Sequence, residues 1–357
     1  MNVNVRERVH EIWSTAPPMY PDRGRQLHSF SDAKTPEYEQ WHKETWAPIL
    51  ITPTIEHQGI DEGAPLLRFM QLPKLLDVIV NRQLLLPPNS KLKKGDPYEC
   101  TARPDYSGIP RKGLEEELIR LEDFVPKTET GGNTFPLDYL LGPRVAQMKY
   151  ADRVRAMSDE ELPEALWFAE HERLKHDVAC SCWYGSGVES DAMWRLYCGH
   201  VGVSITTSIS RIKKAVQCYV PKALVECFKL SFAKVTYSND KFCGQTRPRL
   251  VKRLAFRHEE ELRLFLDYPL VRAAGFPLVV DPCVLIEKIT VTPYAQKWEF
   301  ETVKATVDRI LSPSARRRVA VGYDHPPVEQ STHMSATDPK WPRSSALDYF
   351  GEPTNQS

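Results

Sequence analysis

The sequence has no long apolar run, no excess of charge of either sign and no paired metal-binding cysteines. Its longest apolar run falls far short of the roughly 18 residues that a membrane-spanning helix needs, and residues 1–20 lack the charged start and apolar core of a secretory signal. Lys plus Arg and Asp plus Glu both total 47, which argues against binding of nucleic acid or membranes through bulk charge. A local basic patch is compatible with this balance. We therefore expect a cytoplasmic protein that does not associate with membranes.

The eight cysteines are scattered along a chain that is long enough to build its core without disulfides. Cys180 and Cys182 form the closest pair, and Cys198 and His200 follow them. A structural zinc site normally has two paired halves with C-x₂₋₄-C spacing, and the second half is missing here. We therefore expect reduced thiols and no metal.

The 357 residues suffice for one large or two ordinary domains. Residues 1–65 are rich in aromatics and proline and are interpreted as an N-terminal extension. An α+β domain is expected over residues 66–324, with a mostly helical, acidic insertion at about 110–176. From residue 325 to 357 the composition turns to Pro, Ser, Thr, Asp and Asn, which predicts a disordered tail.

Within the main domain the periodicity predicts short strands alternating with helices. A strand at 66–70, a helix starting near Leu72 and a strand at 84–86 follow one another in under 25 residues. A second unit joins a strand at 178–183 to a helix at 191–197, for which Ser190 is a suitable N-cap. Further strands are expected at 201–205, 278–282, 285–291 and 319–323, with helices from Arg211 to Ala215 and from Ala295 to Leu311.

The stretch from residue 257 to residue 266 has the most distinctive pattern of the chain. Read as a strand, it places Leu262, Leu264 and Leu266 on one face, and Glu259, Glu261, Arg263 and Phe265 on the other. Two carboxylates on one face raise each other's cost of ionisation, and a neighbouring guanidinium holds one of them charged. The pattern fits a charged site on a rigid element, or equally an edge strand with a solvated, salt-bridged face.

Several short motifs together resemble an uncharacterised, mostly microbial family, domain of unknown function 2971. They are Arg68-Phe69, Asp96-Pro97-Tyr98-Glu99, Ser181-Cys182-Trp183, Glu189-Ser190-x-x-Met193-Trp194-x-x-Tyr197 and His258-Glu259-x-Glu261-x-Arg263. The resemblance covers about residues 66 to 323. The sequence departs from the family pattern at Gly95 and Tyr98, where Asn and Phe are usual, and at His258, where Tyr is favoured.

The order of these motifs is similar to that of ADP-ribosyltransferases, in which a split mixed or antiparallel sheet holds NAD. The resemblance implies that NAD is a co-substrate. It implies contacts to NAD from six residues: Arg68, Ser181, Trp183, Trp194, Tyr197 and Arg263. Arg68 would hold the pyrophosphate or the ribose next to nicotinamide, and Trp194 or Tyr197 would stack on nicotinamide.

The same resemblance implies that Glu261 is the catalytic carboxylate. It would bind the ribose 2′-hydroxyl and stabilise the oxocarbenium ion that forms as nicotinamide leaves. Glu259 would orient or deprotonate the acceptor, and Arg263 would keep one of the two acids ionised. The sequence does not identify the acceptor, and nucleic acid is one of the candidates.

Two other functions are compatible with the same residues. In a magnesium-dependent nuclease, Asp96 and Glu99 would join Glu259 and Glu261 around the metal, although no lysine stands beside the acids as in the usual nuclease motifs. In a non-catalytic binding module, Arg68 and the tryptophans would line a pocket for a nucleotide or a peptide. Trp183, Trp194 and Tyr197 also suit an ordinary aromatic core.

Overall fold

A computed structural model describes residues 36–92, 103–121, 150–239, 242–244, 248–267, 275–312 and 325–332. Asp96, Glu99 and the strand expected at 319–323 lie outside these ranges. The helices are α1 Pro36–Trp46, α2 Leu72–Val80, α3 Asn89–Leu92, α4 Arg111–Arg120, α5 Tyr150–Arg155, α6 Glu161–Asp177, α7 Asp191–Tyr197, α8 Ile209–Ala215, α9 Pro282–Leu285 and α10 Lys297–Leu311. Within the described ranges, 3₁₀ helices span Lys222–Cys227, Pro248–Leu250 and Leu254–Glu259.

The strands form an α+β fold with mixed and antiparallel sheets, as expected from the sequence. They are β1 Pro48–Ile51, β2 Thr54–His57, β3 Leu66–Gln71, β4 Gln83–Leu86, β5 Arg103–Pro104, β6 Val178–Tyr184, β7 Gly202–Thr207, β8 Val216–Pro221, β9 Lys229–Lys234, β10 Thr236–Tyr237, β11 Phe242–Gly244, β12 Val251–Lys252, β13 Glu261–Asp267, β14 Phe276–Val280, β15 Lys288–Val291 and β16 Val328–Gln330.

The larger sheet has eight strands in the order β16-β15-β7-β3-β6-β13-β9-β2. The inner strands of this sheet pair in antiparallel fashion. Each outermost strand is parallel to its neighbour, since β16 pairs with β15 and β2 pairs with β9. A second, antiparallel sheet has the order β1-β8-β14-β4. Leu264 and Leu266 of the larger sheet and Leu84 and Leu278 of the smaller one belong to one buried cluster, so the main core joins the two sheets.

Strands β3 and β6 are neighbours that barely touch. They share one paired position, Leu67 opposite Tyr184, whereas β3 pairs with β7 over six residues and β6 pairs with β13 over seven. Since hydrogen-bonded strands lie about 4.8 Å apart only where they pair, the sheet opens on one side of this contact. The opening divides the larger sheet into two halves.

The helical block has its own apolar core. Leu118, Leu162 and Leu166 are fully buried in a cluster formed by α4, α5 and α6, and the main core does not share these residues. Helix α6 ends at Asp177 and β6 begins at the next residue, so the block is tied to the strand that borders the opening. The sequence predicted a helical insertion in this region, and the described part of it is helical.

Two segments that the sequence suggested were peripheral belong to the sheets. Strands β1 and β2, within the segment interpreted as an extension, each form an edge of a sheet, where β1 pairs with β8 and β2 pairs with β9. Residues 325–332, expected to be part of a disordered tail, contain β16, which pairs with β15 through three positions. Few apolar residues are needed there, because backbone hydrogen bonds hold an edge strand.

The strand predicted at 257–266 starts later than expected. Residues 254–259 form a 3₁₀ helix, Glu260 adopts a left-handed conformation (φ 36°, ψ 49°), and β13 begins at Glu261. The two carboxylates therefore lie on different elements. The expected alternation from Glu261 onward is correct. The edge-strand alternative is wrong, because β13 lies between β6 and β9 and Glu261 is buried.

Candidate functional site

A cavity of about 590 Å³ lies where β3 and β6 diverge. Seven residues singled out from the sequence line it, namely Arg68, Ser181, Trp183, Tyr197, Glu259, Glu261 and Arg263. They come from β3, β6, α7, the 3₁₀ helix before β13 and β13 itself. Arg68 and Glu261 belong to opposite faces of the sheet by register, and the opening between the strands lets both reach one cavity. The volume is within the usual range for pockets that enclose a small ligand.

An ion cluster forms one wall of this cavity. Lys252 Nζ contacts the carboxylates of Glu259 and Glu261, at 2.9 Å from Glu261 Oε2. Arg263 donates from Nε to Glu261 Oε1 at 2.8 Å and from a terminal nitrogen to Glu261 Oε2 at 3.2 Å. All four side chains are at most 9% exposed. The cluster contains two acidic and two basic side chains, so each buried charge has a partner of opposite sign, without which its burial would be costly.

The charges around Glu261 favour its ionised form. Burial opposes ionisation, but Arg263 and then Lys252 outweigh it and lower the pKa of Glu261 to about 2. The backbone N–H of Glu261 donates to Tyr237 Oη at 2.8 Å, which fixes the start of β13. Glu261 is therefore an anion in a fixed position at neutral pH.

Tyr197 connects α7 to the cluster. Its hydroxyl donates to Glu259 Oε1 at 2.7 Å, and its ring is 41% exposed at the cavity. Burial of the hydroxyl, followed by the charge of Glu259, raises the pKa of Tyr197 well above its usual value. The hydroxyl is thus protonated and remains a donor, while the exposed ring is accessible to a ligand.

On the opposite side of the opening, residues that line the cavity have hydrogen-bond donors with no acceptor within the described ranges. Ser181 Oγ and Trp183 Nε1 are buried, and neither has a hydrogen-bond partner among the residues described. The Arg68 guanidinium stacks 5.5 Å from the centre of the Trp183 ring, and within the described ranges it forms no ion pair. Burial lowers the pKa of Arg68. Unmatched buried donors cost free energy, which an acceptor-rich ligand would offset.

Trp194, the eighth predicted site residue, is placed differently. It is fully buried, its ring packs edge-on against Phe69 at 4.9 Å, and its Nε1 donates to Glu189 Oε2 at 3.1 Å. It does not line the cavity. Of the two aromatic residues that the resemblance suggested for stacking, Tyr197 is the one at the cavity, because it falls on the exposed side of α7.

Lys252 is the site residue that sequence reasoning missed. No lysine had been expected beside the acids, yet β12 brings Lys252 between them. The sequence does contain a run of basic residues just before the Glu-x-Glu stretch. Its pattern does not indicate which of these side chains points toward the acids. Pairing of β12 with β10 orients the lysine toward the cavity.

The cysteines near the cavity are thiols. Cys180 and Cys182 line it and are free, and the hydrogen bond with Cys180, followed by burial, raises the pKa of Cys182 well above its usual value. Across the described part of the chain, no group of three or more His, Cys, Asp or Glu residues is arranged to hold a metal ion. Cys198 lies in a separate aromatic cluster, so it does not join the C-x-C pair.

Comparison with family models, with curated proteins and with solved structures found no match for this chain. Among the helices that the structure describes, none combines the length and the apolar character that crossing a membrane requires.

Proposed function

We propose that the cleft between β3 and β6 binds NAD and that the chain transfers ADP-ribose from NAD to an acceptor. The observation that supports this most strongly is the division of one cavity into two chemically different sides. Unmatched donors, Arg68, Ser181 and Trp183, lie on one side, and a buried carboxylate held by two cations lies on the other. NAD carries a phosphate-rich centre and a cationic nicotinamide ribose, which suit these two sides.

The donor side would hold the pyrophosphate. A guanidinium forms strong, directional hydrogen bonds to phosphate oxygens, and Arg68 has no carboxylate among the described residues to compete for it. Ser181 Oγ and Trp183 Nε1 would gain the acceptors that they lack.

The acid side would stabilise the transition state. The bond between ribose C1′ and the nicotinamide nitrogen breaks, and its electron pair leaves with neutral nicotinamide. Positive charge then develops on the ribose, and the fixed anion Glu261 offsets it in a site with little water. The acceptor supplies a lone pair to C1′ and loses a proton, which Glu259 receives after its contacts to Lys252 and Tyr197 loosen.

The test is release of nicotinamide by the purified chain, with cell extract as a source of acceptor. Glu261→Gln is expected to lower the release rate by about 100-fold or more, while the dissociation constant for NAD changes by less than about 5-fold. Glu260→Gln is the matched control, since Glu260 is the exposed neighbour in the same turn, and it should retain activity. Full activity of Glu261→Gln would refute the assignment.

A non-catalytic binding module is the second candidate, because all oxygens of the two glutamates already have partners and Glu261 is 3% exposed. It predicts that NAD or another nucleotide binds and that no nicotinamide is released with any extract. The nuclease alternative has less support. Lys252 stands between the carboxylates where a divalent cation would have to bind, and that alternative predicts activity that a chelator abolishes.

A further inference from the structure

Among the described residues that line the cavity, Lys74 of α2 and Lys91 of α3 are exposed, whereas the acidic residues, Glu259 and Glu261, are buried. The 3₁₀ helix at 254–259 also contributes to the lining. Arg253 and Arg257 are exposed on or beside the same 3₁₀ helix. The whole chain has equal numbers of basic and acidic residues. The local excess combines a basic run of the sequence, which contains Arg253 and Arg257, with Lys74 and Lys91, which the fold brings to the same cavity.

Aromatic and apolar surface lies between these cations. The ring of Tyr197 is 41% exposed, and the neighbouring Leu196 is 61% exposed. Phe256 lines the cavity, with the Arg253 guanidinium 5.2 Å and Lys252 Nζ 5.1 Å from its ring centre. A ring that neighbouring cations already approach, next to a second exposed ring, is a common arrangement in sites that stack planar groups.

We infer that the mouth of this cavity binds single-stranded nucleic acid. Such sites combine a cationic groove that follows the backbone with aromatic side chains on which unpaired bases stack. Lys74, Arg253 and Arg257 supply the first feature, and Tyr197 and Phe256 supply the second. A duplex would offer only its phosphates, because its bases are already stacked on each other. An acidic protein would leave the exposed ring of Tyr197 and the half-buried ring of Phe256 without a matching partner.

This assignment narrows the acceptor in the proposed reaction. A strand bound at the mouth would present an unstacked base to the cavity that holds Glu259 and Glu261. Binding of the strand does not depend on the proposed transferase activity. The role of the strand as acceptor does depend on it and so rests on the proposed function. The two are therefore tested separately, the first without NAD.

Binding is measured with the full chain and a fluorescent 12-residue oligonucleotide of mixed sequence, as single-stranded DNA, single-stranded RNA and duplex DNA. We expect a single strand to bind at least about 10-fold more tightly than the duplex, with affinity that falls steeply as salt is added. The double variant Arg253→Gln, Arg257→Gln should weaken binding by about 10-fold or more and reduce the salt dependence. Tyr197→Leu should weaken it by about 10-fold with the salt dependence unchanged.

The matched control removes two exposed positive charges elsewhere, with Lys297→Gln and Lys304→Gln on α10. This variant should bind the strand as the wild type does, and thermal unfolding should confirm that every variant is folded. Equal loss of binding in the control would show that bulk charge is responsible and would overturn the assignment. Equal affinity for the duplex, or for polyglutamate of the same length, would overturn it as well, the latter in favour of an acidic protein.

The acceptor role has its own readout. With NAD labelled in the adenosine moiety, label should enter the nucleic acid fraction of a cell extract and be lost after nuclease treatment. Label in protein, with oligonucleotide binding intact, would refute the acceptor role while leaving both strand binding and the proposed transferase in place. No nicotinamide release at all would instead refute the transferase.

Discussion

The positive charge of Lys252 offsets the repulsion between two buried carboxylates. Glu259 and Glu261 both contact its Nζ, and Arg263 binds only the second of them. Removing one member of a buried ion cluster leaves its partners charged and unpaired, which costs much more than the loss of a surface pair. The contribution of Glu261 follows from its depressed pKa. It is present in full above about pH 4.5 and is lost as the pH falls toward 2.

Lys252→Met keeps most of the side-chain volume and removes the charge. We expect it to lower the free energy of unfolding by roughly 3 kcal/mol at pH 7, because Glu259 loses its only cationic contact seen among the described residues. Loss of Lys252 raises the pKa of Glu261 in the variant, so its deficit should shrink as the pH falls below about 4. Urea unfolding at several pH values measures both effects.

The control for this prediction is Lys229→Met. Lys229 pairs with Glu56 at 3.0 Å, with both side chains at least 41% exposed. A pair of this kind contributes less than about 1 kcal/mol. If the two variants lose equal stability at pH 7, the cluster at Lys252 does not have the energetic role assigned to it.

At the scale of elements, the turn before β13 decides where the two acids lie. Glu260 adopts a left-handed conformation, and its carbonyl accepts a hydrogen bond from the N–H of Gly185 at 3.0 Å. A Cβ on Gly185 would come within 2.0 Å of Leu262 Cδ1 and 3.2 Å of the Glu260 carbonyl oxygen. A side chain at position 185 would therefore force the Leu262 side chain to move and the turn at Glu260 to shift by a few tenths of an ångström.

Gly185→Ala should shift this turn and disturb the contact between Lys252 and Glu261. We expect a loss of roughly 1–3 kcal/mol in stability, typical of overpacking, together with at least about 10-fold weaker NAD binding, since a misplacement of about 1 Å is costly in a preorganised site. Gly108→Ala serves as control, because a Cβ there meets nothing within 4 Å. Unchanged NAD binding in Gly185→Ala would contradict the role of the turn.

At the scale of the whole molecule, the described residues form two main apolar cores. Leu264 is fully buried in the core between the sheets, on the reverse face of the strand that carries Glu261. Leu118 is equally buried in the helical block. Replacing either leucine by alanine should lower the free energy of unfolding by about 2–5 kcal/mol. Leu264→Ala should destabilise the sheets, whereas Leu118→Ala should destabilise the helical block.

Native-state hydrogen exchange distinguishes the two units. Leu118→Ala should increase exchange in α4 and α6 while the amides of β13 keep their wild-type protection. Leu264→Ala should increase exchange throughout the larger sheet. Equal increases in both regions with either variant would mean that the block and the sheets unfold together.

The sequence by itself determined the local elements and the faces that they bury. Alternation from Glu261 to Leu266 and helical spacing after Leu72 predicted β13 and α2, because period two and period 3.6 depend only on neighbouring residues. The start of β13 was missed, because the left-handed turn at Glu260 depends on contacts with β6. Short edge strands such as β16 were also missed, since their backbone hydrogen bonds leave no pattern in the side chains.

Only the tertiary structure determined which strands and side chains are neighbours in space. The opening between β3 and β6, the position of Lys252 between the acids and the separation of Trp194 from the cavity all depend on strand order and register. The pairing at the opening joins Leu67 and Tyr184, which are more than 100 positions apart in the chain. Local periodicity cannot encode such a pairing, because the same alternating strand fits many neighbours, and burial of the whole core selects one arrangement.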